Sequence, residues 1–214
     1  MTTFDSDNFE NFPTGWTVVA INGGVVEKSS TQKHSGSYSC RIYSLASTAE
    51  ACPYRDFTRL GAVNYHNQVE VYIDSSSVAD NDILVAELYD VTTGKASVIA
   101  LIKYHDGAYY LQNQKTGSIE DVCTLTADVF HKIDAYYNYT TGKIHYYIDD
   151  VKQGGDWNSY SGASVRPSRN YLGDASTTAG LMNGYIYLDD WVLDDATEPV
   201  AKVAKGDGLT WIIA

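Results

Sequence analysis

The sequence has no long apolar run, few cysteines and few cations, and each shortage argues against a class of protein. Its uninterrupted apolar stretches are only a few residues long, far short of the roughly 20 that a transmembrane helix needs, so we expect no membrane insertion. The 15 Lys and Arg are scattered singly among 27 Asp and Glu. A net charge of −12 repels a phosphate backbone, so we expect no nucleic acid partner.

The cysteines and the first residues bear on where the protein is made. Cys40, Cys52 and Cys123 are odd in number and lack Cys-x-x-Cys spacing, which argues against a disulfide framework and a zinc site. Either all three are thiols, or Cys40 and Cys52 form a bridge and Cys123 is free. Residues 1–7 contain neither the basic start nor the apolar stretch of a secretory signal. We expect cytoplasmic synthesis and a virion or extracellular location, unless a signal was removed.

Good helix formers are scarce as well, with 7 Glu and 2 Met, whereas 18 Tyr and many Val, Ile and Thr favour strands. Residues 68–74 alternate strictly, which predicts a strand with Val69, Val71 and Ile73 on its buried face. Turn signals such as Gly94 and Asp106-Gly107 separate further strand-like runs. Ten to twelve short strands predict an all-β fold, a two-sheet antiparallel β-sandwich of the jelly-roll kind with almost no helix.

The chain divides at residue 195 into a predicted jelly-roll β-sandwich, 1–195, and a C-terminal extension, 196–214. The extension ends in apolar side chains that a free terminus would expose. We therefore expect it to dock on its own sandwich or on a neighbouring subunit. The predicted interface residues are Leu209, Trp211, Ile212 and Ile213.

Several segments resemble a known family. They are residues 9–16 (FENFPTGW), 34–42 (HSGSYSCRI), 104–110 (YHDGAYY) and 184–193 (GYIYLDDWVL). Together they resemble laminin-G-like and carbohydrate-binding-module-like jelly rolls of the concanavalin A-like lectin/glucanase superfamily. The resemblance spans residues 4–195 and implies a fold rather than an activity.

Members of such families often hold a structural Ca²⁺ between the first and last strands, and the resemblance implies candidates for its ligands here. Ca²⁺ takes six to eight oxygen ligands in irregular geometry, so carboxylates from both chain ends could hold it. The specific expectation is Glu10 with Asp189 or Asp190, because adjacent strand residues face opposite ways. The alternative is a set of solvated strand-end acids. The full candidate set is Asp5, Asp7, Glu10, Asp189 and Asp190.

No catalytic motif is present, so we expect no enzyme activity. The Glu-x-Asp-x-x-Glu run of the superfamily's glucanases does not occur, and the five histidines show no ligand spacing. Residues 104–112 are faintly similar to alginate-lyase-like relatives, with Tyr110 in the place of a catalytic tyrosine. The paired Arg-rich and Gln-x-His strands of those relatives are missing, and an acidic chain does not suit an anionic substrate.

Aromatic residues cluster around one predicted hairpin and the loop after it, and alternation must leave some rings outside the core. Such rings could stack on sugars, form a protein interface or be ordinary strand surface. The ligand-binding candidates are Tyr137, Tyr147, Trp157 and Tyr160.

Two functions from different classes follow. The first is a non-enzymatic structural or adhesion module of a virion, such as a phage capsid decoration or tail-fibre protein, whose partners would be other protein subunits in a homo-oligomer or particle surface. The second is a carbohydrate-binding, lectin-like domain of a surface or secreted protein, whose partners would be glycans.

Overall fold

The computed structural model describes residues 1–44, 50–76, 78–79, 83–173, 182–183, 185–199, 204–205 and 208–209. Within these ranges the chain forms strands and turns only, and no helix there could span a membrane. The strands are β1 (Thr3–Asp7), β2 (Thr17–Ile21), β3 (Gly24–Ser29), β4 (Ser39–Ser44), β5 (Glu50–Asp56), β6 (Tyr65–Ile73), β7 (Val78–Ala79), β8 (Ile83–Asp90), β9 (Lys95–His105), β10 (Ala108–Lys115), β11 (Ser118–Leu125), β12 (Phe130–Asn138), β13 (Lys143–Ile148), β14 (Val151–Asn158), β15 (Arg169–Gly173), β16 (Met182–Asn183), β17 (Ile186–Asp194), β18 (Ala204–Lys205) and β19 (Gly208–Leu209).

Two antiparallel sheets make up the sandwich. The first sheet has the order β14-β13-β12-β6-β17-β4-β3, and β1 pairs with β17. The second sheet has the order β11-β10-β9-β8-β15-β5-β2. Two further pairs of two-residue strands, β7 with β16 and β18 with β19, stand apart from them. The predicted all-β, two-sheet antiparallel sandwich is confirmed, with fifteen strands in the two sheets rather than ten to twelve.

The predicted turns lie where the sequence signals place them. Asp106 and Gly107 join β9 to β10 with φ values of 51° and 81°. Two successive positive φ values match the right-handed twist of a hairpin, and Asp-Gly adopts them at low cost. Gly142, between β12 and β13, has a φ of 67°, and a Cβ there would lie 2.5 Å from the Ala163 nitrogen. A side chain at position 142 would therefore disrupt this turn.

Strand β6 shows the predicted alternation, but both of its faces are covered. Val69, Val71 and Ile73 lie in the core. Glu70 and Tyr72 face the other way and are still only 5% and 9% exposed. The rings of Phe130 and Tyr187, on the two neighbouring strands, pack 5.3 and 5.8 Å from the Tyr72 ring. The predicted half-exposed strand is thus buried on both sides.

None of the three cysteines is part of a disulfide, so the Cys40–Cys52 bridge is not formed. The two residues belong to different sheets, because Cys40 is on β4 and Cys52 on β5. Cys40 packs in the core between the sheets, where burial raises the pKa of its thiol well above the ordinary range.

Hydrogen bonds across the core join the two sheets. The Tyr146 hydroxyl on β13 donates to Asn113 Oδ1 on β10 over 2.9 Å, and Asn113 Nδ2 donates to the Asn158 carbonyl. Both Tyr146 and Asn113 are fully buried. Without its partner, Asn113 Oδ1 would be an unsatisfied acceptor in the core, which costs about 1–3 kcal/mol.

We predict that Tyr146→Phe lowers the free energy of unfolding by about 1–3 kcal/mol, because it leaves Asn113 Oδ1 without a donor. Urea unfolding followed by tryptophan fluorescence measures the change. Tyr38→Phe is the matched control, since Tyr38 is 37% exposed and its ring lies outside the core. Equal stability of Tyr146→Phe and wild type would contradict this role of the hydroxyl.

Candidate functional site

The outer face of the second sheet, which points away from the core, carries side chains in rows that cross the strands. One row runs from Tyr54 on β5 through Tyr171 on β15 and Glu87 on β8 to Ile99 on β9. Cross-strand neighbours on one face lie about 5 Å apart, so the row is a continuous surface.

Tyrosines gather at one side of this face. The Tyr54 and Tyr171 ring centroids are 5.4 Å apart, and Tyr89 meets Tyr171 edge-on at 6.2 Å. The Arg169 guanidinium lies 4.1 Å from the Tyr54 ring centroid and also forms a bidentate ion pair with Asp56. The ion pair raises the pKa of Arg169 above its ordinary value, so its charge is permanent. All three rings are half-buried, so part of each is accessible to a ligand.

The middle of the outer face is apolar. Leu84, Ile99 and Leu101 form a small hydrophobic cluster that is separate from the main core. Tyr89, Tyr160 and Tyr171 pack against this cluster, and the three aliphatic side chains are at most 7% exposed. The rings and the aliphatic cluster therefore form one apolar surface.

Glu87 interrupts this apolar surface with a carboxyl group. Its cross-strand neighbours are Tyr171 and Ile99, and within the described part of the chain its carboxylate has no hydrogen bond or ion pair. Burial raises the pKa of the Glu87 carboxyl, because an apolar environment disfavours its charged form. A half-buried carboxylate without a donor is a costly feature that a ligand hydroxyl would satisfy.

A polar cleft of about 340 Å³ continues the outer face over β9, β10 and β11. Gln112 Nε2 donates to Asp121 Oδ1 over 2.7 Å, and His105 Nε2 lies 3.3 Å from the same oxygen. His105 stacks on Tyr110 with ring centroids 4.1 Å apart. Among the described residues, Gln112 Oε1 is buried and has no hydrogen-bond partner. A second unsatisfied acceptor thus belongs to this face, two strand spacings and two residues from Glu87, or about 12 Å.

The predicted ligand-binding residues do not form one groove. Tyr137 is in the core, where its ring stacks on Tyr65 at 4.7 Å, so little of its ring is accessible to a ligand. Tyr147 lies on the outer face of the first sheet, 3% exposed, with its hydroxyl donating to Glu198. Trp157 is half-buried, and its ring contacts Tyr146 edge-on at 6.5 Å. Only Tyr160 joins the outer face of the second sheet.

The predicted metal ligands fall into two groups, of which the first is Asp5 and Asp7. Asp5 accepts from Arg55 Nε over 2.8 Å, and Asp7 accepts from Arg55 Nη1 and Trp16 Nε1. Their carboxylates are therefore already hydrogen-bonded to a guanidinium and an indole. A cavity of about 620 Å³ lies beside Asp7 and Arg55.

The second group, Glu10, Asp189 and Asp190, holds the segment 34–38. Glu10 Oε1 accepts from the Ser37 and Tyr38 nitrogens, which lowers the pKa of Glu10. Asp189 Oδ2 accepts from the His34 and Ser35 nitrogens, and Asp190 Oδ2 lies 2.8 Å from His34 Nδ1.

These five acids do not fit a single calcium site as the structure places them. Among the described residues, no three His, Cys, Asp or Glu side chains converge on a common point that could hold a metal ion. The acids instead accept hydrogen bonds from the protein itself. The calcium ion stays a prediction of the family resemblance.

Most of the C-terminal extension lies outside the described residues. Leu209 is part of the two-residue strand β19, whereas Trp211, Ile212 and Ile213 are outside the described ranges, so their predicted interface stays a prediction. The start of the extension does contact the first sheet, because Glu198 pairs with Lys152 at 2.8 Å and with His145.

The sequence did not predict three residues of this face as site residues, namely Glu87, Gln112 and Tyr171. The signal for Glu87 was visible in the sequence, since Glu87 is the one carboxylate within the otherwise apolar run ILVAELY of β8. Gln112 and Tyr171 had none, because their neighbours on the face come from strands distant in sequence.

No protein-family model and no curated protein sequence matches the chain. Solved structures do match it in fold. A carbohydrate esterase of the Shiga toxin-encoding bacteriophage phi24B superposes with a TM-score of 0.69 at 10% identity, covering 92% of this chain and 99% of that one. An endo-β-1,4-glucuronan lyase from Trichoderma reesei gives 0.63 at 13% identity, covering 91% and 96%.

A sialidase also matches, with a TM-score of 0.67 at 10% identity over 90% of this chain, which spans only 18% of that enzyme's length. At such low identities these similarities show the fold alone. They confirm the predicted jelly-roll β-sandwich fold.

We predict that Glu87→Gln raises the melting temperature at pH 7. The folded protein holds the Glu87 carboxyl with a raised pKa, so it binds this proton more tightly than the unfolded chain, whose Glu pKa is about 4.3. Stability is therefore lost as pH rises from the unfolded towards the folded pKa, and the variant escapes this loss. Calorimetry across pH 3–8 tests this: the gain should vanish below about pH 4, where both states are protonated. A variant less stable than wild type at pH 7 would contradict the prediction.

Proposed function

We propose that the chain is a carbohydrate-binding module that holds a glycan against the outer face of its second sheet. The observation that carries the proposal is the tyrosine cluster of Tyr54, Tyr89 and Tyr171 beside an unsatisfied acceptor, Glu87, with a second one, Gln112, farther across the same face. Ligand sites combine an apolar, aromatic lining with a few polar groups that orient the ligand. A sugar ring suits this surface, because it offers an apolar face to the tyrosines and hydroxyl donors at its edge.

The proposal does not include catalysis. Glycoside hydrolysis needs two carboxyl groups about 5–9.5 Å apart across one groove. Glu87 and Asp121 lie on β8 and β11, three strand spacings apart in the second sheet, which is about 14 Å. Asp56, at the other side of the face, is held by Arg169. This spacing favours binding over hydrolysis.

The virion remains our proposed setting. A bacteriophage carbohydrate esterase shares the fold, which supports a tail-fibre or capsid-decoration protein that attaches to surface glycans. Such a component would have subunit partners, and the extension 196–214 is our candidate for that contact. Light scattering tests this part, since a monomeric chain would contradict it.

We predict that Tyr171→Ala weakens glycan binding about tenfold or more. Affinity electrophoresis through native gels that contain single polysaccharides measures retention of the protein. Truncating a tyrosine at the centre of a binding site typically costs about 2 kcal/mol or more, which exceeds the 1.4 kcal/mol of a tenfold loss. Tyr171→Phe keeps the ring and should be retained almost as wild type.

Tyr38→Ala is the matched control, because Tyr38 is an exposed tyrosine outside the second sheet. A melting curve for each variant separates lost binding from lost folding. Equal retention of Tyr171→Ala and wild type would contradict the proposal. The proposal would also be contradicted if none of the polysaccharides retained wild type or any variant. Release of reducing or unsaturated ends by wild type would show that the chain is catalytic.

A further inference from the structure

We propose that the outer face of the second sheet selects an uncharged, hydroxyl-rich glycan and rejects a polyuronate. This inference rests on the proposed function and names the class of ligand for the same site. It follows from the hydrogen-bonding groups that the face leaves unsatisfied and from those that it has already paired.

The unsatisfied groups on this face are acceptors. The Glu87 carboxylate has no donor within the described part of the chain, and Gln112 Oε1 is buried without a partner. Gln112 Nε2, the donor end of the same amide, is already used by Asp121 over 2.7 Å. The bound ligand must therefore supply a donor to the half-buried Glu87 carboxylate, and Gln112, about 12 Å away on the same face, offers it no free donor. A primary sugar hydroxyl can donate, whereas the ionised carboxylate that replaces it in a uronate can only accept.

The cations near these acceptors already have partners. Arg169 forms two hydrogen bonds with Asp56, at 2.5 and 2.8 Å, and a third with the Tyr171 hydroxyl. Lys103, in the wall of the cleft, also has an interaction partner. His105 lies 3.3 Å from both Asp106 and Asp121. A uronate would have to break one of these pairs to gain a counter-ion.

Charge repulsion also disfavours a polyuronate, in addition to the lack of an unpaired cation near the two acceptors in the described part of the chain. A uronate beside Glu87 would place two negative charges in an apolar environment formed by Ile99, Leu84 and Tyr171, where charges interact more strongly than in water. The net charge of −12 also slows the approach of any polyanion. A neutral glycan meets neither obstacle.

A matched pair of ligands tests the inference. Native gels are cast with a panel of neutral polysaccharides and, in parallel, with polyuronates. Whichever neutral polysaccharide retains the protein is then oxidised so that its primary hydroxyls become carboxylates, and retention is measured again. The two polymers share a backbone, so the comparison isolates the charge.

We expect the oxidised polymer to bind about tenfold or more weakly, which corresponds to at least 1.4 kcal/mol. Glu87→Gln should bind the neutral glycan about tenfold more weakly, because an acceptor oxygen is replaced by a donor. The difference in affinity between the neutral and the oxidised polymer should also be smaller for this variant than for wild type. Because this variant is expected to be more stable than wild type, its weaker binding cannot come from unfolding. Glu27→Gln, which removes the same charge on β3 of the first sheet, is the matched control and should bind as wild type.

Each other result overturns the inference in a recognisable way. Retention by polyuronates that equals or exceeds retention by neutral polymers would leave glycan binding intact and show that the ligand class is wrong. Wild-type affinity of Glu87→Gln would show that Glu87 accepts nothing from the ligand. Retention by no polysaccharide of either kind would instead contradict the proposed function itself.

Discussion

The packing of the two sheets against each other is the constraint on which the rest of the structure depends. Successive strand residues face opposite ways, so the side chains buried between the sheets decide which ones appear outside. On β8 the inward positions are taken by Ile83, Val85, Ala86 and Leu88, because a bulge between Leu84 and Ala86 shifts the register by one residue. Glu87 consequently lies on the outer face, beside side chains that are themselves apolar.

The two outer faces differ in how completely their polar groups are paired. On the first sheet, the His66 ring lies between Asp134 and Asp194, at 2.7 and 3.0 Å, and stacks on Tyr136 at 4.3 Å. These buried polar groups satisfy one another, as the members of a structural network must. On the second sheet, Glu87 and Gln112 Oε1 have no such partners among the described residues. This contrast is the reason for assigning ligand binding to the second sheet.

The fold could be predicted from the sequence because its signals are local. The alternation at 68–74 and the Asp106-Gly107 turn each depend on neighbouring residues, and the strand and the turn are confirmed, although the strand is covered on both faces. The site could not be predicted in the same way, because its rows join β5, β15, β8 and β9, whose order in the sheet is not their order in the chain. Tyr137 illustrates this limit, because a tyrosine-rich hairpin in the sequence does not reveal which rings point into the core.

The central claim is that the glycan lies on the outer face of the second sheet, and amide chemical shifts test it most directly. Two-dimensional ¹H–¹⁵N spectra of the labelled chain are recorded while a retained neutral oligosaccharide is added. The account predicts shifts confined to β8, β9, β10 and β15, with Glu87, Gln112 and Tyr171 among the residues most affected. Shifts centred on His66 and Tyr136 of the first sheet would contradict it.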